Sequence, residues 1–180
     1  KVTEEIFNKA TNLKIVGRAG IGTDNIDKIA ATKNGIIVMN TPYGNAVTTA
    51  EHTIALIMSL VRMIPRADVS TRQGKWEKSK FNGTEITGKH LGLIGCGNIG
   101  SIVANRAIGL KMKVLAFDPF LTKEKAAELS VDKVELEYLL KNADIISLHT
   151  PLTEDTKNII SSKSISMMKK GSRIINCARG

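Results

Sequence analysis

Leu91-Gly92-Leu93-Ile94-Gly95-Cys96-Gly97-Asn98-Ile99-Gly100 is the stretch that decides the fold. A short apolar run, strand-like in length, leads into three glycines spaced G-x-G-x-x-G, and helical spacing of apolar residues follows to Leu110. The three-glycine pattern alone is weak, but between a strand and a helix it has a mechanical reading. Gly95 permits a tight turn, Gly97 offers no side chain to block a pyrophosphate, and Gly100 lets the helix lie close on the sheet. The free N–H groups of the helix start, with the helix dipole behind them, favour an anion there. Asp118 lies 18 residues after Gly100, at the end of the next apolar run. A carboxylate in that place accepts hydrogen bonds from ribose hydroxyls and repels a 2′-phosphate. Pro119 and Phe120 follow it, with no arginine, so the pattern favours NAD over NADP.

On either side, short apolar runs alternate with amphipathic stretches, the rhythm of an α/β fold with a parallel sheet covered on both faces. Strands are expected at residues 14–17, 36–39, 91–95, 113–117, 131–134, 144–148 and 173–176. Helices are expected at residues 25–34, 46–64, 99–110, 122–129, 135–142 and 161–170, with Gly35 and Gly171 as stops and Ser161 as an N-cap. In the helix from Ala46, a stripe of Val47, Ala50, Ile54, Ile57, Met58 and Val61 is widened by Ala55, Leu56 and Leu60. Such a helix is buried in the core or against a partner subunit, and Pro65 ends or kinks it. Residues 66–89 are polar and read as connection and surface.

Composition narrows the function classes. Of the 180 residues 42% are hydrophobic and 24% charged, which fits a folded globular chain. The longest apolar run, Thr53 to Val61, is too short to span a membrane, and the start of the chain has no signal-peptide core. The net charge of +9 comes from 26 scattered Lys and Arg without a block of five, and aromatics are only 4%. That argues against nucleic acid and membrane surfaces, and for an anionic small molecule. Two cysteines, Cys96 and Cys177, make neither a disulfide framework nor a zinc pattern. They read as buried, reduced thiols of a cytoplasmic protein, and no metal site is expected.

Seven segments in one register resemble the D-2-hydroxyacid dehydrogenases. They are Val16-Gly17-Arg18-Ala19-Gly20-Ile21-Gly22-Thr23-Asp24-Asn25; Met39-Asn40-Thr41-Pro42 with Gly44-Asn45; Ala50-Glu51; Gly74-Lys75-Trp76; the glycine loop; Leu148-His149-Thr150-Pro151-Leu152; and Asn176-Cys177-Ala178-Arg179-Gly180. The Arg18 loop, Asn40-Thr41-Pro42 and the Arg179 motif look like the branch that acts on a phosphorylated hydroxy acid. The resemblance implies a Rossmann-type doubly wound nucleotide domain, residues 42–180, plus part of a flavodoxin-like substrate domain, residues 1–41. It further implies a homodimer or higher homo-oligomer built on the helix from Ala46.

Carried over residue by residue, Arg18, the backbone of Ala19, Gly20 and Ile21, and Asn45 hold the substrate's anionic end. Relatives sometimes have a hydroxyl residue at position 21, and Ile21 leaves only backbone there. Asn98 and Ile99 lie against the pyrophosphate, Thr150 and Pro151 against the adenosine, and Cys177 and Ala178 against the nicotinamide. Arg179 is the catalytic arginine, whose fork can grip an α-keto acid. The family's Glu–His acid–base pair falls beyond Gly180, so the chain reads as a fragment with very weak activity by itself. His149 is expected to be a hydrogen-bonded structural histidine, and Glu51 and His52 surface or partner contacts. Two other readings stay open: a glyoxylate or hydroxypyruvate reductase or another D-2-hydroxyacid dehydrogenase, and an NAD-sensing interaction protein.

Overall fold

The computed structural model describes residues 1–178. They form two units, one over Lys1–Ala46 and one from Val47 on.

In the first unit, helix α1 (Glu4–Lys9) precedes strand β1 (Ile15–Arg18), helix α2 (Lys28–Lys33) and strand β2 (Ile37–Asn40). The strands pair in parallel, with Ile15 beside Ile37 and Arg18 beside Asn40. Phe7, Ile26, Ala30, Ala31 and Ile36 form the core, and Val16 and Val38 pack on it from the inner face of the sheet. Ile15, Ile37 and Met39 alternate onto the other face and stay exposed. The first helical segment expected here, residues 25–34, starts three residues late. Ile26 is taken by a parallel bridge to Val2, and Asp27 caps α2 by accepting the Ala30 N–H at 2.9 Å.

The second unit opens with helices α3 (Ala46–Val61) and α4 (Ile64–Arg72) and a short 3₁₀ turn, Lys78–Phe81. Then come β3 (His90–Ile94), α5 (Asn98–Gly109), β4 (Lys113–Phe117), α6 (Lys123–Glu128), β5 (Asp132–Lys133), α7 (Leu136–Asn142), β6 (Ile145–Leu148), α8 (Ser162–Met167) and β7 (Arg173–Asn176). The five strands are parallel in the order β5-β4-β3-β6-β7. The chain therefore winds outward from β3 in one direction and then returns to β6 on its other side. This reversal opens a crevice beyond the C-terminal ends of β3 and β6, where doubly wound sheets place their ligands. Alternation along the strands supplies both faces. Leu91, Leu93, Val114, Ala116 and Ile145 pack with Ala50, Ile57 and Val61 of α3 and with Val103, Ala104 and Ala107 of α5. Ile94, Leu115, Ile146 and Leu148 pack with Leu139, Leu140 and Ala143 around α7. Each large aliphatic side chain buried this way contributes about 1.5–3 kcal/mol.

Four expectations need correction. The segment after Pro65 is not mere connection, because Pro65 lies in the first turn of α4, where its missing N–H removes no bond. Met63 turns the chain in the left-handed region, φ 57°, and α4 leaves α3 at 62°. The polar sequence of α4 hides its one buried anchor, Ser70, whose hydroxyl donates to Glu77 at 2.8 Å. Val47 is exposed; Ala46 and Thr53 join Ala50, Ile57 and Val61 as the buried stripe of α3, while Leu56 and Leu60 also face outward. Cys96 is buried and free, but Cys177 is only half-buried. Finally, α8 stops at Met167, although Ser161 caps it with a reciprocal Ser161–Ser164 box, as its position predicted. Among the described residues no single helix is long and apolar enough to cross a membrane.

Candidate functional site

The glycine loop leaves β3 at Gly95, whose φ of 93° belongs to the left-handed region that favours glycine. A Cβ there would lie 2.8 Å from the main-chain carbon and oxygen of His149 and 3.1 Å from Thr150 Cγ2. At Gly100 it would lie 2.3 Å from the Gly95 oxygen, so helix α5 sits on the strand end at a distance no side chain allows. At Gly97 a Cβ meets nothing within 4 Å. The loop is thus closed at both ends and open in the middle, the shape a pyrophosphate requires. Gly97 is the N-cap of α5 and brings no side chain to its N–H groups, and the first turn has no acidic residue. Asn98 and Ile99 begin the helix, with Ile99 partly buried against the core. The helix dipole there is met by no carboxylate of its own first turn.

Asp118 sits just past β4. One carboxylate oxygen accepts the Cys96 N–H at 2.8 Å and the other the Phe120 N–H at 2.8 Å. Its sequence position pointed to ribose; the tie to the glycine loop was not legible there. An ionised carboxylate has about four acceptor directions, so two such bonds leave room for ribose hydroxyls. Burial, and then the Asp118 charge, pushes the Cys96 thiol up to about 11. Cys96 therefore stays a protonated packing residue.

Thr150 and Pro151 follow β6, and the Pro151 carbonyl accepts from Thr156 at 2.6 Å. Cys177 and Ala178 follow β7, where the Ala178 N–H donates to Asn176 Oδ1 at 2.9 Å. The loop, Asp118, Thr150, Pro151, Cys177 and Ala178 all follow C-terminal strand ends of one sheet. Arg179 lies outside the described residues. In the first unit Arg18 donates to the Gly22 carbonyl at 3.3 Å, and the Asn40 side-chain amide donates to the Ile21 carbonyl at 2.9 Å. The Thr41 N–H bonds the Gly20 carbonyl at 3.2 Å. Ala19, Gly20 and Ile21 are therefore pinned to the end of β2, with Arg18 and Asn45 exposed. Glu51 and His52 are exposed on α3.

A recess of about 100 Å³ lies at the opposite end of the sheet, lined by Lys89, Asp144, Lys169 and Arg173 among others. Burial pushes the Asp144 carboxyl up, but hydrogen bonds from the His90 N–H and the Lys169 ammonium outweigh it and hold it below the usual carboxylate range. This cluster fastens the starts of β3 and β6 and is remote from the glycine loop.

His149 is bonded as expected, with Nε2 2.9 Å from Ser147 Oγ. Burial lowers its imidazole from 6.5 to about 4. The unfolded chain takes up this proton below about pH 6.5 and the folded chain only below about 4. Stability is therefore fully present above pH 6.5 and falls as the pH drops through this window, by on the order of 3 kcal/mol. Urea unfolding at pH 7.5 and 4.5 checks this, since His149→Leu should lose that part of the acid sensitivity.

The parallel order, the crevice and the loop with its distal carboxylate define a Rossmann-type dinucleotide-binding domain. The model of the D-isomer specific 2-hydroxyacid dehydrogenase NAD binding domain matches residues 54–180. The chain belongs to that family, and the cofactor of its nucleotide domain is NAD. It is 53% identical over its whole length to D-3-phosphoglycerate dehydrogenase of Bacillus subtilis and 46% identical to that of Homo sapiens. It covers 34% of each, so the chain spans about a third of these relatives. Among solved structures it resembles D-lactate dehydrogenase from Aquifex aeolicus complexed with NAD and lactic acid. There the TM-score is 0.91 and identity 36%, over 100% of this chain and 54% of that one.

Proposed function

We propose that the protein oxidises 3-phospho-D-glycerate to 3-phosphohydroxypyruvate with NAD, the entry step of serine biosynthesis. The observation that carries this reading is the likeness to D-3-phosphoglycerate dehydrogenases along all 180 residues, the Arg18 loop included. Residues 1–41 are assigned to a substrate-binding domain and residues 42–180 to the nucleotide domain. The exposed Ile15, Ile37 and Met39 face of the first unit suits a further layer of such a domain. Exposed Val47, Leu56 and Leu60 on α3 suit a homodimer contact, and the setting is cytoplasmic.

The residues divide the work by their chemistry. Arg18 and the carbonyl-pinned turn of Ala19, Gly20 and Ile21, with Asn45, hold the anionic end of the substrate. Gly95, Gly97, Asn98, Ile99 and Gly100 present backbone N–H groups to the pyrophosphate, and Asp118 accepts the ribose hydroxyls. Thr150 and Pro151 flank the adenosine, and Cys177 and Ala178 the nicotinamide. Arg179 grips the carboxylate and polarises the C2 oxygen as the carbonyl forms. NAD, when bound, would supply the ring that takes the C2 hydride, and the hydroxyl proton would pass to the histidine of the Glu–His pair that the family resemblance implies.

Steady-state assays of the full-length protein test the substrate. NADH should appear with 3-phosphoglycerate, and turnover confined to hydroxypyruvate or glyoxylate reduction would overturn that assignment. Arg18→Ala should raise KM for 3-phosphoglycerate about 10- to 100-fold with kcat little changed, the mark of a contact made equally in ground and transition states.

A further inference from the structure

We infer that His149 is a positioning residue for the dinucleotide loop: clamped by Ser147, its ring fixes the strand end on which Gly95 and Gly100 close. The inference rests on the glycine loop being the NAD site.

Four observations carry it. The first is contact. The two nearest atoms to a Cβ built at Gly95 are the His149 carbon and oxygen, both at 2.8 Å, and a Cβ at Gly100 would lie 3.8 Å from His149 Cβ. The main chain of His149 is therefore the wall behind Gly95, and Gly100 closes on Gly95 itself with His149 Cβ next to it. The second is register. The His149 N–H donates to the Ile94 carbonyl at 2.8 Å, which extends the β3–β6 pairing one residue beyond its last pair, Ile94 with Leu148. That bond ties the last residue before Gly95 to the residue before Thr150. The third is the clamp. Ser147 and His149 are two apart, His149 lying one residue past β6 in its continued pairing with β3, and so share a face. Ser147 is fully buried, and its hydroxyl lies 2.9 Å from Nε2. The ring is folded back onto its own strand, which restricts the backbone where the strand ends and the loop of Thr150 and Pro151 begins.

The fourth concerns cost. Nδ1 of His149 is buried without a hydrogen-bond partner among the described residues. A buried unsatisfied polar atom typically costs about 1–3 kcal/mol, so an apolar side chain of similar size should serve the fold as well or better. A protonated ring would add a charge with no acceptor at Nδ1. The uncharged imidazole thus contributes geometry to the loop while contributing little to stability.

The test is NAD binding by calorimetry and thermal unfolding, on the full-length protein and on His149→Leu, His149→Gln, Ser147→Ala and the His149→Leu/Ser147→Ala double variant. Glutamine can place its amide nitrogen near the position of Nε2. We expect His149→Leu and Ser147→Ala each to weaken NAD about tenfold, as small misplacements of a binding loop do. The double variant should lose no more than either single one, glutamine should restore most of the affinity, and the Tm of the leucine variant should stay level or rise. Unchanged affinity in His149→Leu, a loss that only follows a fall in Tm, or additive losses would overturn the inference while leaving the NAD site standing. A wild-type protein that binds no NAD would overturn both.

Discussion

Asp118→Ala is expected to weaken NAD binding about 10- to 150-fold, the equivalent of one charge-assisted contact of about 1.5–3 kcal/mol, and to narrow the gap between NAD and NADP. The side chain has two tasks. It faces the ribose in the proposed complex, and it holds the loop through the Cys96 N–H at 2.8 Å. Asp118→Asn separates them. The amide oxygen can still accept from the loop, but the charge that repels a 2′-phosphate is gone. The asparagine variant should therefore keep much of the loop's stability while losing discrimination against NADP. Calorimetric titration of both dinucleotides into both variants checks this. Unchanged preference in Asp118→Asn would show that selectivity comes from elsewhere in the pocket.

Gly100→Ala and Gly97→Ala should fail in opposite ways. The methyl at position 100 would fall 2.3 Å from the Gly95 oxygen, a backbone atom that cannot swing aside. Helix α5 must then lift from β3, and overpacking of this kind costs about 1–3 kcal/mol. Tm and NAD affinity should both fall. The methyl at position 97 meets nothing within 4 Å, so Tm should stay within a few degrees while NAD affinity falls at least about tenfold, because in the proposed complex the methyl stands where the pyrophosphate approaches. Thermal unfolding with and without NAD distinguishes the two. An alanine at position 97 that leaves binding intact would mean that the phosphates lie elsewhere.

Much of the fold is legible in the sequence, for identifiable reasons. The strand at residues 113–117 holds an unbroken apolar run, Val114 to Phe117, between two helices, and burial on both faces leaves such a run few alternatives. Ser161 was readable as a cap because its role is local. What stayed hidden depends on partners distant in sequence. Residues 64–72 are polar enough to pass for a loop, and Pro65 reads as a terminator unless the turn at Met63 is known. The delayed start of α2 follows from Val2 bridging Ile26, across two dozen residues. At the site the three glycines and Asp118 could be named from spacing, but the hydrogen bond joining Asp118 to the Cys96 N–H belongs to the folded loop. The Ser147–His149 clamp was only partly visible. A hydrogen-bonded structural histidine was expected at the strand end, but nothing in the sequence named Ser147 as its partner or placed its backbone under Gly95.

The proposed NAD site is the crevice beyond β3 and β6, with Asp118 selecting against a 2′-phosphate. Its most direct test is calorimetric titration of the wild-type protein with NAD and, separately, with NADP. One NAD site per chain is expected, with NADP bound at least about tenfold more weakly because of the Asp118 charge. Equal affinity for the two, or a preference for NADP, would contradict it.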